Sequence, residues 1–222
     1  MDWTALRVSL LLGVWTVALL VPFGVWAGHY LATHDFRGKA VVESLVAVPL
    51  LLPPTVLGFY LLMVFSPRSA PGALFERIAG QSLAFSFPGL VLASIVINLP
   101  FVVQPIQRAF EAVPTSIREA AACCGLSPWQ RFLRIEAPLA WPGILTAMML
   151  TFAHTLGEFG VVLMVGGNLP GETRTLSVAI YDRMQAFDDR GAGIMAATLL
   201  AVAVTTLVAT TSLSQRLVRR RA

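Results

Sequence analysis

His154 and Glu158 stand one helical turn apart within residues 140–166, a run that is otherwise apolar. An imidazole and a carboxylate at that spacing could pair, bind a metal ion or work a gate. Hydrocarbon solvates charge poorly, so an ionisable group at membrane depth is a functional candidate by default. For His154 a bond to a neighbouring helix is the plainer reading than a metal ligand. For Glu158 a structural or gating role, with a bond across a subunit contact or to a loop arginine, fits its position near one end of the run. Gly157 and Gly160 flank it and permit close helix approach. Two other segments carry polar or chain-bending residues in apolar surroundings. One holds Pro49, Pro53, Pro54 and Thr55, and the other Asn98, Pro100, Gln104 and Pro105. Proline removes a backbone donor and bends a helix. Bent helices with amide side chains can line a wet path or simply pack against neighbours, and both readings stay open.

Enzymatic signatures are missing. There is no H-E-x-x-H, no G-x-S-x-G and no G-x-x-x-x-G-K-[ST] phosphate loop, and no His and Asp cluster lies inside the apolar runs. GLSPW at 125–129 has only a superficial likeness to a nucleophile elbow.

The elements that hold these residues are membrane spans. The 222-residue chain is 56% hydrophobic and 13% charged, with a mean hydropathy of +0.74. A soluble domain carries about 25% charged residues. The composition therefore predicts an all-α integral membrane protein. A helix needs about 20 apolar residues to cross the hydrocarbon, and five stretches qualify: 8–31, 41–65, 86–106, 140–166 and 192–214. They are continuous runs, not the alternating segments of a barrel. The first is too long for a signal peptide, and its basic residues, Arg37 and Lys39, follow it.

Arginine and lysine cluster in alternate connections. Arg37 and Lys39, then Arg108, Arg118, Arg131 and Arg134, then Arg216, Arg219, Arg220 and Arg221 outweigh Arg7, Arg68, Arg77, Arg174, Arg183 and Arg190 on the opposite side. The positive-inside rule puts the first set in the cytoplasm, the N-terminus outside and the C-terminus inside. This accounts for the +4 charge and the pI of 9.7 without nucleic acid, for which no basic and aromatic pattern exists. Only Ala222 follows Arg221, so no added cytoplasmic regulatory domain is expected on this chain. Among the outer residues, 175–187 show helical spacing of Leu176, Ala179, Ile180, Met184 and Phe187, which predicts a short helix on the membrane interface. The outer loop 166–174, GGNLPGETR, is either a contact for a partner or a turn-rich connection.

Residues 107–139 form a basic insert between the third and fourth spans. Ser116 with Glu119 reads as a capping box after Pro114, and Arg118 to Ala122 favour helix. Gly125 supplies a left-handed terminator. Ser127, Pro128 and Gln130 open a second helix with its own capping box, carrying Trp129, Phe132 and Leu133 as an apolar patch. Pro138 and Pro142 bracket the return into the membrane. The adjacent Cys123 and Cys124 read as small, buried helix residues, since neighbouring thiols rarely form a useful disulfide and two thiols are no zinc site.

This insert resembles the cytoplasmic loop of binding-protein-dependent ABC importer permeases: Glu-Ala-Ala, three residues, Gly, nine residues, Ile, one residue, Leu-Pro. Here Glu119-Ala120-Ala121, Gly125, Ile135 and Ala137-Pro138 stand at those intervals, with Ala137 in place of Leu. The resemblance implies a type I permease fold. It makes the insert a coupling element, with Arg118, Glu119, Ala120, Ala121, Gly125, Leu126 and Ser127 at the interface with a separate ATP-hydrolysing subunit. Segments 36–62 and 157–181 are similar to molybdate permeases, and GGNLPGETRTL is the stretch where tungstate and sulfate permeases vary. The family implies one permease domain over 1–222 in a bacterial inner membrane, and a homodimer with two ATP-binding subunits. It implies a periplasmic oxyanion-binding protein, and no cofactor on this chain, ATP being bound by the partner. A carboxylate would repel a dianion, and the spans hold little lysine or arginine. Selectivity is therefore expected in the binding protein, with Pro53, Pro54, Thr55, Asn98, Gln104, His154 and Glu158 lining or gating the conduit.

Overall fold

The computed structural model describes the backbone of residues 1–219 and the side chains of residues 1–212. Arg216, Arg219, Arg220 and Arg221, counted above for orientation, lie outside the described side chains. Eleven α-helices make up the described fold: α1 (Trp3–Thr33), α2 (Lys39–Leu51), α3 (Pro54–Phe65), α4 (Ala70–Ala79), α5 (Phe87–Glu111), α6 (Thr115–Cys123), α7 (Pro128–Arg131), α8 (Ala137–Gly157), α9 (Gly160–Gly166), α10 (Leu176–Gln185) and α11 (Asp189–Arg219). A π-helical segment, Phe132–Glu136, joins α7 to α8 without a stop.

Four stretches are helical, long and apolar enough to cross a membrane: Trp3–Thr33, Phe87–Glu111, Pro128–Gly157 and Asp189–Ser212. The predicted second span is not a single bent helix. It breaks into α2 and α3 at an angle of 109°, because Pro53 and Pro54 together deny the ladder two donors. Glu43 on α2 meets Gln107 near the C-terminal end of α5, while the segment after α3 leads to Ser86, which caps the opposite end of α5. The fold therefore has a loop end, marked by residues 112–136, and a far end. The helix predicted over 175–187 forms as α10 at the far end, where Ser9 of α1 accepts the N–H of Leu176 at 2.7 Å. Leu176 and Ala179 are buried, whereas Met184 and Phe187 are exposed. α11 starts beside it. Asp188 accepts from the N–H of Gly191, which holds its carboxyl below the usual carboxylate range, with Arg183 helping.

The fourth span also differs from its prediction. It starts at α7, ahead of residue 140, and Pro138 and Pro142 lie within α8, near its start and in its interior, instead of bracketing its entry. It breaks after Gly157, and α9 continues separately. α5, by contrast, runs on through Pro100 and Pro105.

Two larger apolar clusters fill the interior, and a smaller third, Ala5, Leu176, Ala179 and Met195, joins α1 to α10 and α11. Of the larger two, the far-end cluster includes Leu12, Leu61, Leu90, Ile97 and Val165, and the loop-end cluster Leu20, Val102, Ile106, Phe110 and Ile144. α1 meets α5 through Gly24 and Gly28, one turn apart. A Cβ at Gly24 would lie 1.9 Å from Cγ1 of Val102, and one at Gly28 2.9 Å from the backbone nitrogen of Gln107. Small residues at this spacing let two backbones approach closely. A Cβ at Gly157 would meet nothing within 4 Å, so that glycine makes no close approach, whereas a Cβ at Gly160 would meet Pro54 at 2.9 Å. Gly28→Ala is expected to lower stability by about 1–3 kcal/mol through overpacking, with Gly157→Ala near neutral. Thermal unfolding in detergent distinguishes them, and equal melting temperatures would refute this reading of the α1–α5 contact.

Candidate functional site

Between the two larger apolar clusters lies a polar seam. Along α1, Thr16 falls between Leu12 and Leu20, and along α5, Asn98 falls between Ile97 and Val102. Asn98 is fully buried. Its Nδ2 donates to the Ser94 carbonyl at 2.8 Å and to Thr155 Oγ1 at 3.1 Å, and Thr155 Oγ1 donates to the Thr151 carbonyl at 2.8 Å. With the amide nitrogen so used, Asn98 Oδ1 faces His154 Nδ1 at 3.1 Å and accepts a hydrogen bond from its N–H. Phe101 stacks on the His154 ring with centroids 4.2 Å apart. His154 Nε2 stands 4.0 Å from Glu158 Oε2. Thr16 and Thr151 keep buried hydroxyl oxygens without a hydrogen-bond partner.

Glu158 sits at the break between α8 and α9. Its Oε1 accepts the N–H of Val161 at 2.9 Å, and its carbonyl accepts from Ser177 of α10 at 2.7 Å. The acid thus satisfies a donor that the broken ladder leaves free. No arginine reaches it among the described residues. The break in the second span lies alongside. Gly160 approaches Pro54 and the N–H of Thr55, and Gly58 approaches Met164. Pro53, Pro54 and Thr55 are exposed on the outer side of this contact. Gln104 is exposed and stands apart from Asn98. It lines a cleft between α2 and α5 with Glu43, Gln107 and Glu111. There Gln107 donates to Glu43 at 2.7 Å and to Glu111 at 2.9 Å.

In the insert, α6 opens at Thr115 and not at Ser116. The Pro114 carbonyl accepts from Ile117 and Arg118, and no side chain caps the helix, because Ser116 already lies in its first turn. Gly125 has φ +77°, the N–H of Leu126 reaches the Ala121 carbonyl at 3.2 Å, and that of Gly125 the Ala122 carbonyl at 2.9 Å. This pair of bonds is the Schellman ending. Ser127 and Gln130 form the capping box of α7. The second helix is the first turn of the fourth span and not a separate surface element.

Glu119, Ala120, Gly125 and Ser127 are exposed, Leu126 is half-buried and Ala121 is buried. Glu119 has no partner among the described residues. Arg118 turns inward, and its Nη2 donates to the Phe110 carbonyl at 2.5 Å. Cys123 and Cys124 are exposed, contrary to the sequence reading, since the short α6 buries only Ala121.

The spacing of residues in the sequence left out one charged cluster. Glu136, 2% exposed, accepts from or pairs with His29 at 2.5 Å, Arg131 at 3.2 Å and Arg118 at 3.5 Å. The available signal was an acid in the apolar re-entry IEAPLAW, at the variable position between Ile135 and Ala137.

Among the described residues no cluster of three or more His, Cys, Asp or Glu could hold a metal ion. The geometry is that of a broken-helix membrane bundle with an exposed helical loop at one end. The chain belongs to the family of binding-protein-dependent transport system inner membrane components, whose pattern matches residues 21–222. Within it, the chain is 46% identical over 187 residues to the molybdenum transport system permease protein ModB of Azotobacter vinelandii, covering 84% of this chain and 83% of that protein. The ModB of Escherichia coli K12 is 38% identical over 83% of this chain and 80% of its own length. A probable sulfate transport permease, cysT of Anthoceros angustus, is 35% identical over 82% of this chain and 62% of that protein. In fold, the chain is similar to a subunit of a bacterial alginate ABC transporter solved with its periplasmic protein, with TM-score 0.78, 17% identity and coverage of 96% and 78%. It is likewise similar to a chain of the MetNI methionine ABC transporter, with TM-score 0.71, 18% identity and coverage of 97% and 94%.

Proposed function

We propose that this chain is the membrane-spanning permease of an importer that carries molybdate into the cytoplasm, driven by ATP hydrolysis on separate subunits. The observation that carries the cargo is the 46% identity to a molybdenum transport permease over most of both chains. What supports the motor is the exposed Glu119 and Ala120 on a short, firmly ended helix at the loop end. Small side chains allow a partner's groove to close on α6, and the unpaired Glu119 offers it a charge.

The arginine distribution supports a cytoplasmic loop end, with the N-terminus outside and the C-terminus inside. The apolar groove lined by Trp26, Trp129, Phe132 and Trp141 fits the interfacial layer of a bacterial inner membrane. A second copy of the chain is the natural cover for the exposed Pro53, Pro54 and Thr55 surface. A periplasmic oxyanion-binding protein would dock at the far end. There the GGNLPGETR loop is tied down. Asn168 donates to Asp182 at 2.9 Å, Arg174 donates to Asn168 at 2.6 Å, and Thr173 is buried. With Arg174 so engaged, the loop offers the anion no free cation, and selectivity rests with the binding protein.

Sulfate is the second reading, from the similarity to sulfate transport permeases. Deleting the gene and measuring cellular molybdenum by mass spectrometry at scarce molybdate tests the proposal. Molybdenum is expected to fall to the level of a strain lacking the ATPase subunit and to return on restoration. Excess tungstate should compete and excess sulfate should not. Uptake of labelled sulfate that falls instead would move the assignment to sulfate.

A further inference from the structure

We infer that Glu136 is a positioning residue that ties the coupling loop to the first span, so that a push on α6 and α7 reaches α1 as well as α8. The inference rests on the loop being the docking element, but not on the identity of the cargo.

The carboxylate stands in the π-helical segment between α7 and α8, almost completely buried. A buried carboxylate is unfavourable unless paired. Its three partners come from three other places in the fold. His29 is in the last turns of α1, Arg118 in α6 and Arg131 in α7. Arg118 also grips the last turn of α5 through the Phe110 carbonyl. The His29 ring is held edge-on by Phe110 and Phe132, each with centroids 4.9 Å away. One carboxylate therefore gathers the loop-end termini of α1, α5 and α8 with both parts of the insert.

The two oxygens do different work. Oε2 is taken by His29. Oε1 faces both arginine Nε atoms, at 3.5 Å from Arg118 and 3.2 Å from Arg131, and neither Nε–H makes a hydrogen bond although both atoms are buried. Neither contact has the linear geometry that a hydrogen bond favours, so both hold as ion pairs to the one oxygen, and that charge ties α6 and α7 to the same point.

The test uses the complete complex of permease, ATPase and binding protein in liposomes. Glu136→Gln keeps the volume and removes the charge. Uptake per ATP hydrolysed is expected to fall roughly tenfold, within the range usual for coupling between sites, with the ATPase still copurifying. His29→Phe cuts only the α1 tie and is expected to lower the same ratio. It also keeps the test open if Glu136→Gln fails to assemble. An unchanged ratio in an assembled variant overturns the inference. Spin labels at Asp35→Cys and Ser116→Cys, with Cys123 and Cys124 replaced by serine, give a readout independent of cargo. Their separation should stay constant through the nucleotide cycle when Glu136 is intact and should change in the Glu136→Gln variant. A separation that varies equally in both overturns it. If the unaltered complex moves no molybdate while the labels behave as expected, the cargo assignment fails and the link stands.

Discussion

Gly125→Val should abolish coupled uptake while the spans remain folded. Gly125 holds φ +77°, and a Cβ there would meet nothing within 4 Å, so the whole penalty lies in the backbone. The left-handed conformation costs an L-residue about 1–2 kcal/mol, and a β-branched residue fits it worst. α6 has nine residues, no side-chain cap and one buried residue to resist that strain. Losing the Schellman ending would fray Ala121 to Cys124 and misdirect the chain into α7. Since about 1.4 kcal/mol is tenfold in an equilibrium, uptake is expected to fall at least tenfold. Gly125→Asn, which tolerates the left-handed region, should retain most of it. Labelled molybdate uptake measures both. Transport by the valine variant at the unaltered rate would remove the coupling role from this turn.

The second large effect is expected at Asn98→Leu. Leucine has nearly the right shape but none of the polar atoms. The change strands His154 Nδ1 and leaves Thr155 with one partner fewer inside the bundle. Each buried group left unsatisfied costs about 1–3 kcal/mol. The unfolding temperature in detergent should therefore drop, and uptake per folded complex should drop further if the seam lies in the conduit. The double change Asn98→Leu with His154→Leu should recover part of the stability, because the stranded donor is gone. Additive losses would show that the two side chains do not act as a pair.

The spans, the far-end helix α10 and the ending of α6 at Gly125 were legible in the sequence because each is written locally. Long apolar runs, helical spacing and a glycine after a helix-forming stretch need no distant partner. The breaks were harder. Three prolines between residues 49 and 54 announce a bend but not a 109° turn, and nothing near Glu158 says that the ladder stops there. Its role became visible only with Val161 and Ser177 in place. Asn98 and His154 were found as polar residues in apolar runs, but their bond joins positions 56 apart. Glu136 was missed for the same reason. Its first partner is 107 residues away, and a carboxylate beside a loop of arginines looks like ordinary solvated surface until the helices close over it. Gln104 lies on another face of the same span, in the cleft with Glu43 and Gln107, and the sequence did not separate it from Asn98.

The paired breaks, Leu52–Pro53 in one span and Glu158–Phe159 in another, carry an electrical consequence. Helix ends leave backbone dipoles uncompensated, and hydrocarbon cannot satisfy them. Here the protein supplies the partners itself: Glu158 accepts the Val161 N–H, Ser177 donates to the Glu158 carbonyl, and the Pro53 carbonyl accepts from Val56 and Leu57. The two breaks therefore end their helices without leaving bare dipoles in the hydrocarbon, and a charge passing that depth would meet capped helix ends and not an unbroken apolar wall.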